Sequence, residues 1–129
     1  MTGFSVTIAP RFYETDALGH INNASIAAWF EVARVHFLES LGADEPGAVK
    51  DWILASVQID FVAETFYGAD VLAKITEASI GNSSLTVLCE MSQNDKLAVK
   101  GKAVLVYMDP QTKSPARIPD VLREQVAAL

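Results

Sequence analysis

"INNASIAAWFEVARVHFLESLG", residues 21–42, decides the fold. Ile26, Trp29, Phe30, Ala33, Phe37 and Leu41 recur at helical spacing. Ala28, Val32 and Val35 widen the apolar face, and only Ser25, Glu31, Arg34, His36, Glu39 and Ser40 interrupt it. A helix this apolar is mostly surrounded by protein, so the rest of the chain is expected to wrap it. Asn22 or Asn23 can cap its start, and Gly42 follows its end.

On either side the pattern differs. Upstream, residues 4–9 alternate loosely as a first strand ended by Pro10, and residues 11–23 are polar and turn-like. Residues 43–51 read as a loop. Beyond it the period becomes two: Ile53, Ala55, Val57, Ile59, Phe61 and Ala63 share one side, with Ser56, Gln58, Asp60 and Glu64 on the other. This predicts a long strand with one buried face. Turn residues then separate strands at Val71–Ile80, Ser84–Ser92 and Leu97–Met108. Pro119 opens a short helix, Asp120–Ala128. One strand, a long helix and four successive antiparallel strands give an α+β class, with the sheet curled around the helix.

Composition agrees with this reading. The chain has 129 residues, half of them hydrophobic, which suits one domain, 1–129. Cys89 is alone, so no internal disulfide is possible, and a reducing, cytoplasmic setting is expected. Residues 1–10 lack a signal-peptide pattern, and no apolar run approaches a membrane span. The net charge of −6 argues against nucleic acid as a partner. The charge is uneven: residues 1–90 hold 12 acids and four bases, residues 91–129 four acids and six bases. Ordinary solvated lysines account for this excess, and a local site for an anionic ligand, with Lys100 and Lys102 as candidates, is the other reading.

For chemistry, the chain has no phosphate loop, no nucleophile elbow and no His/Cys set at metal spacing. Cys89 falls on a strand's apolar register and reads as core. His36 lies on the less apolar side of the helix and reads as structural. Glu31 and Arg34 stand three apart and can pair, or Glu31 can face a pocket. Asp16 precedes the helix start by about seven residues. A helix start offers free N–H groups and a dipole that favours negative charge. A carboxylate beside it can attack a carbonyl or activate water, while the N–H holds the oxyanion. Spacing alone leaves Asp16 equally readable as a brace for a polar loop.

"RFYETDALGHINNASIAAWFEVAR", residues 11–34, resembles the signature of the hotdog-fold acyl-CoA thioesterases, in the 4-hydroxybenzoyl-CoA thioesterase-like branch. The residues that carry the resemblance are Asp16, Gly19, His20, Asn22, Asn23, Ala24, Glu31, Ala33 and Arg34. "VQIDFVAETFYGADV", "GNSSLTV" and "AVLVYMDPQTKSPARIPD" extend it over nearly the whole chain. The resemblance implies a hotdog fold, a long helix wrapped by an antiparallel sheet of about five strands. It implies hydrolysis of an acyl-CoA, or of an acyl carrier protein thioester. Asp16 would be nucleophile or general base, and the Asn23 N–H would polarise the carbonyl. His20, Asn22 and Glu31 would lie on the substrate side, with His20 near the substrate or ordering the loop. Neither metal nor organic cofactor is implied. The sites would lie between subunits of a homodimer or homotetramer.

Two positions depart from the pattern. Ile26 stands where many relatives carry Tyr, which opens the acyl preference. Asn23 stands where one branch has His, so no role for that histidine passes to His20. Two other functions remain readable: a non-catalytic acyl-CoA-binding protein, and a dehydratase or hydratase of acyl thioesters. The second would need a His–acid pair in a different motif.

Overall fold

A computed structural model describes residues 2–41 and 51–129. The expected Gly42 stop and nearly all of the 43–51 loop lie outside the described residues. Five strands and two helices follow in order: β1 (Ser5–Ile8), α1 (Asn23–Leu41), β2 (Trp52–Phe61), β3 (Val71–Ile80), β4 (Ser84–Gln93), β5 (Lys96–Tyr107) and α2 (Asp120–Ala127). A 3-10 turn, Phe12–Glu14, breaks up the polar stretch before α1. The strands form one antiparallel sheet in the order β1-β3-β4-β5-β2. The meander is therefore β3-β4-β5, and β2 crosses to the far edge to pair with β5. Asn94 and Asp95, both at positive φ, close the β4–β5 hairpin in the two-residue geometry that suits strand twist.

The core lies between the sheet and one face of α1. Trp29, Phe30, Ala33 and Phe37 meet Val71, Ile75, Leu85, Val87 and Met91, all buried. Cys89 belongs to the same core, and burial pushes its thiol up to about 12. Gly101 marks the closest approach. A Cβ there would lie 2.6 Å from Phe30 Cε2, so the missing side chain lets the aromatic ring rest on the sheet. Leu122 and Val126 of α2, with Ile118, close one end of the core.

Two expectations change. β2 does not bury one continuous face. A bulge between Leu54 and Ser56 shifts its register, so Trp52, Leu54, Val57, Ile59 and Phe61 pair with Tyr107, Leu105, Ala103, Gly101 and Val99. Ile53 thereby falls on the opposite side from Val57. As the edge strand, β2 also leaves Ile53, Leu54, Val57 and Phe61 exposed. Nor is α1 enclosed on all sides, since Val32 is exposed and Ala28 lines an open groove.

The Gly101–Phe30 contact gives a direct test. Gly101→Ala should destabilise the fold by about 1–3 kcal/mol, the usual cost of overfilling a packed core. Urea denaturation compared with wild type measures it, and an unchanged midpoint would contradict the close packing described.

Candidate active site

The site is built where the polar stretch meets α1. Asp16 turns the chain with its own side chain: Oδ1 accepts from Leu18 N at 2.8 Å and His20 N at 3.1 Å. The backbone closes the same loop, with Asp16 N donating to His20 O at 2.7 Å. Gly19 occupies a positive φ of 81 there, which its lack of a Cβ permits. Asp16 is exposed, and its Oδ2 has no hydrogen-bond partner among the described residues.

The helix start is fixed by Asn22. Its Oδ1 accepts from Ser25 N at 2.8 Å, a cap of about 1 kcal/mol. Its own N–H donates to Glu14 O at 2.9 Å. The Asn23 N–H, the first of the helix, meets no acceptor among the described residues.

Asp16, His20 and Asn23 line one cavity of about 170 Å³ with Ile26, Phe61, Glu64 and Thr65. Thr65 is only 2% exposed, and its Oγ1 has no hydrogen-bond partner among the described residues. His20 is fastened on two sides: Nε2 lies 2.9 Å from Glu64 Oε2, and the ring sits edge-on to Phe66 at 5.0 Å. Gln93 anchors the segment behind it. Its amide takes the Phe66 N–H and donates to the carbonyls of Phe66 and Ala69.

Asp16, His20 and Asn23 therefore come together, while Asn22 acts one residue away as the cap. Glu31 does not join them. It lines a separate cavity beside Arg34, Trp52 and Leu54. Glu31 and Arg34 form no ion pair among the described residues. Arg34 is buried and stacks over the Phe30 ring at 4.6 Å, with Nη1 unpartnered among the described residues. Burial pushes its guanidinium down from the ordinary value, and the nearby Glu31 charge partly opposes this. His36 is exposed and lines a wider groove of about 820 Å³ along the outer face of α1. That groove is the larger concavity, but its one buried carboxylate, Glu14, is already hydrogen-bonded.

The basic excess resolves into local duties. Arg123 donates to the carbonyls of Ile118, Gly81 and Asn82, and Arg117 pairs with Asp120 at 2.7 Å. Lys100 sits in register between Asp60 and Glu90, whereas Lys102 has Gln58 and Leu88 as cross-strand neighbours. Among the described residues, no group of three His, Cys, Asp or Glu is placed to hold a metal, and no helix is long and apolar enough to cross a membrane.

The model of the thioesterase-like superfamily matches residues 10–126. A predicted thioesterase from Bacillus stearothermophilus is 34% identical, with a TM-score of 0.89 over 97% of this chain and 94% of that one. A thioesterase from Thermus thermophilus, complexed with coenzyme A and Zn, is 28% identical, with a TM-score of 0.87 over 99% and 96%. The uncharacterized protein YsmA of Bacillus subtilis (strain 168) is 28% identical over 80 residues, 62% of this chain. The chain spans about half of that relative's length, 54%.

Glu14, Glu64, Thr65 and Gln93 are site residues that the sequence reading passed over. The first supports the rest. Its Oε2 accepts from Trp29 Nε1 at 2.9 Å and its Oε1 from Arg11 N at 2.7 Å. Glu14→Ala should cost about 1.5–3 kcal/mol, the range for hydrogen bonds to a charged group. Chemical denaturation followed by tryptophan fluorescence reads the loss, and a wild-type midpoint would remove Glu14 from the framework of the site.

Proposed function

The chain belongs to the thioesterase-like superfamily, and on that premise we propose that it hydrolyses the thioester of an acyl-CoA, or of an acyl carrier protein, to free acid and thiol. One observation carries the reading. A carboxylate with one oxygen tied to the backbone and one free shares a small cavity with an unpaired helix N–H. The thioester carbonyl oxygen would accept from Asn23 N–H, where the helix dipole favours the developing charge. Asp16 Oδ2 attacks the carbonyl carbon or takes a proton from the water that does. The carbonyl pair moves onto oxygen and returns as the C–S bond breaks. The leaving thiolate is then protonated. Single turnover in heavy-oxygen water separates the two routes, because only direct attack leaves the label in Asp16.

His20, held by Glu64 and Phe66, serves here to fix the loop that carries Asp16. Asn22 contributes by holding the donor in place. The contact of Glu31 with substrate, expected from the sequence, has no counterpart in this cavity and is not needed for the step. The groups named supply the chemistry without metal or organic cofactor. A lone buried thiol and an acyl-CoA substrate both suit the cytoplasm.

A space of about 170 Å³ admits a thioester but falls below the roughly 300–1,000 Å³ of pockets that enclose drug-sized ligands. A second copy would enlarge it. The unpaired edge of β2, with Val57 and Phe61 exposed, supports a homodimer formed edge to edge, and a tetramer by further pairing.

A non-catalytic acyl-CoA-binding role is the second reading, and the free Oδ2 of Asp16 speaks against it. Asp16→Asn should lower kcat for thiol release by about 10²–10⁴-fold while melting is retained. A panel of short, long and aromatic acyl-CoAs provides the assay, and equal rates in mutant and wild type would remove Asp16 from the mechanism. Light scattering at micromolar concentration should give at least a dimer; a monomer would contradict the shared site.

A further inference from the structure

Two hydrogen-bond donors that line the Asp16 cavity have no acceptor among the described residues. One is the Asn23 N–H already described. The other is the Thr65 hydroxyl, buried at 2% exposure and unpartnered. Buried polar groups are nearly always hydrogen-bonded, and a hydroxyl can rotate to find a partner. This one finds none, and its backbone cannot shift to help. Thr65 O accepts from Ile21 N at 2.9 Å, and the next residue is clamped by Gln93. If shape were the only demand, valine would fill the site without an orphaned hydroxyl.

A ligand atom that satisfies two donors beside a free carboxylate oxygen is an acceptor attached to an electrophilic centre. A thioester carbonyl has that chemistry. We propose that Thr65 is a catalytic residue, the second donor to the carbonyl oxygen alongside Asn23. As the new C–O bond forms, the carbonyl pair moves onto oxygen and both donors hold the oxyanion. When the C–S bond breaks, the pair returns and the thiolate leaves. Thr65 keeps its proton throughout. The two donors come from different elements, one from the start of α1 and one from the segment after β2.

The inference deepens the thioesterase reading and rests on it. The experiment compares wild type, Thr65→Val and Thr65→Ser in thiol release from the acyl-CoA panel. Thr65→Val should lower kcat by about 10²–10³-fold, as loss of one oxyanion donor does, with KM unchanged. Thr65→Ser, which keeps the hydroxyl, should recover most of the rate. Thr65→Val should melt no lower than wild type. It should also bind a ketone analogue of the best acyl-CoA more weakly than wild type does, yet bind a thioether analogue without the carbonyl equally well. If Thr65→Val fails to fold, the pair Thr65→Ala and Thr65→Ser gives the same comparison. Wild-type turnover that Thr65→Val matches, or a rate that Thr65→Ser fails to restore, would overturn the assignment of Thr65 alone. No thiol release from wild type would overturn the thioesterase reading itself.

Discussion

Glu14 carries its carboxylate into the interior, where an unpaired charge would be costly, and both oxygens are satisfied by Trp29 Nε1 and Arg11 N. Its carbonyl takes the N–H of Asn22. One residue thus joins the 3-10 turn to the helix cap and to the second turn of α1. Helix ends fray when nothing holds them. Here the first turn is fixed, so the position of the free Asn23 N–H is fixed too. The loop carrying Asp16 spans the gap between Glu14 and Asn22 and inherits that order.

The long helix and the β3-β4-β5 meander were legible because their signals are local. Helical spacing identifies α1, and turn residues at Gly81-Asn82 and Asn94-Asp95 bracket β4. Asp16 and Asn23 were legible for the same reason, since seven positions of chain bring them together. The rest depends on contacts distant in sequence. Glu14 looked like one more polar residue because its partner Trp29 is fifteen positions away. Thr65 reaches the cavity only through pairing of its segment with Ile21. The bulge at Ala55 is a one-residue event that alternation cannot reveal, because apolar residues stand on both sides of it. Arg34 reads as a partner for Glu31 on helical spacing, but a buried aromatic face takes its guanidinium instead.

Charge was the least informative part of the sequence taken as a run. Six bases after residue 90 suggest a basic field. Folding distributes them. Arg123 ties α2 to the β3–β4 turn through three carbonyls, and Lys100 is flanked across the strands by two acids. Cross-strand neighbours, not sequence neighbours, decide the local potential on a sheet.

The two oxygens of Asp16 carry different duties. Oδ1 is a structural acceptor that shapes the loop, and Oδ2 is the one left for chemistry. An asparagine can keep the first and forfeit the second. A single base change in the codon would then yield a protein with the same loop, the same cavity and the same helix donor, but no means of attack. Such a variant would hold acyl thioesters and release them intact. In this scaffold an enzyme and a carrier are separated by one atom exchanged for an amide nitrogen, so among its relatives the residue at this position would sort hydrolases from binders.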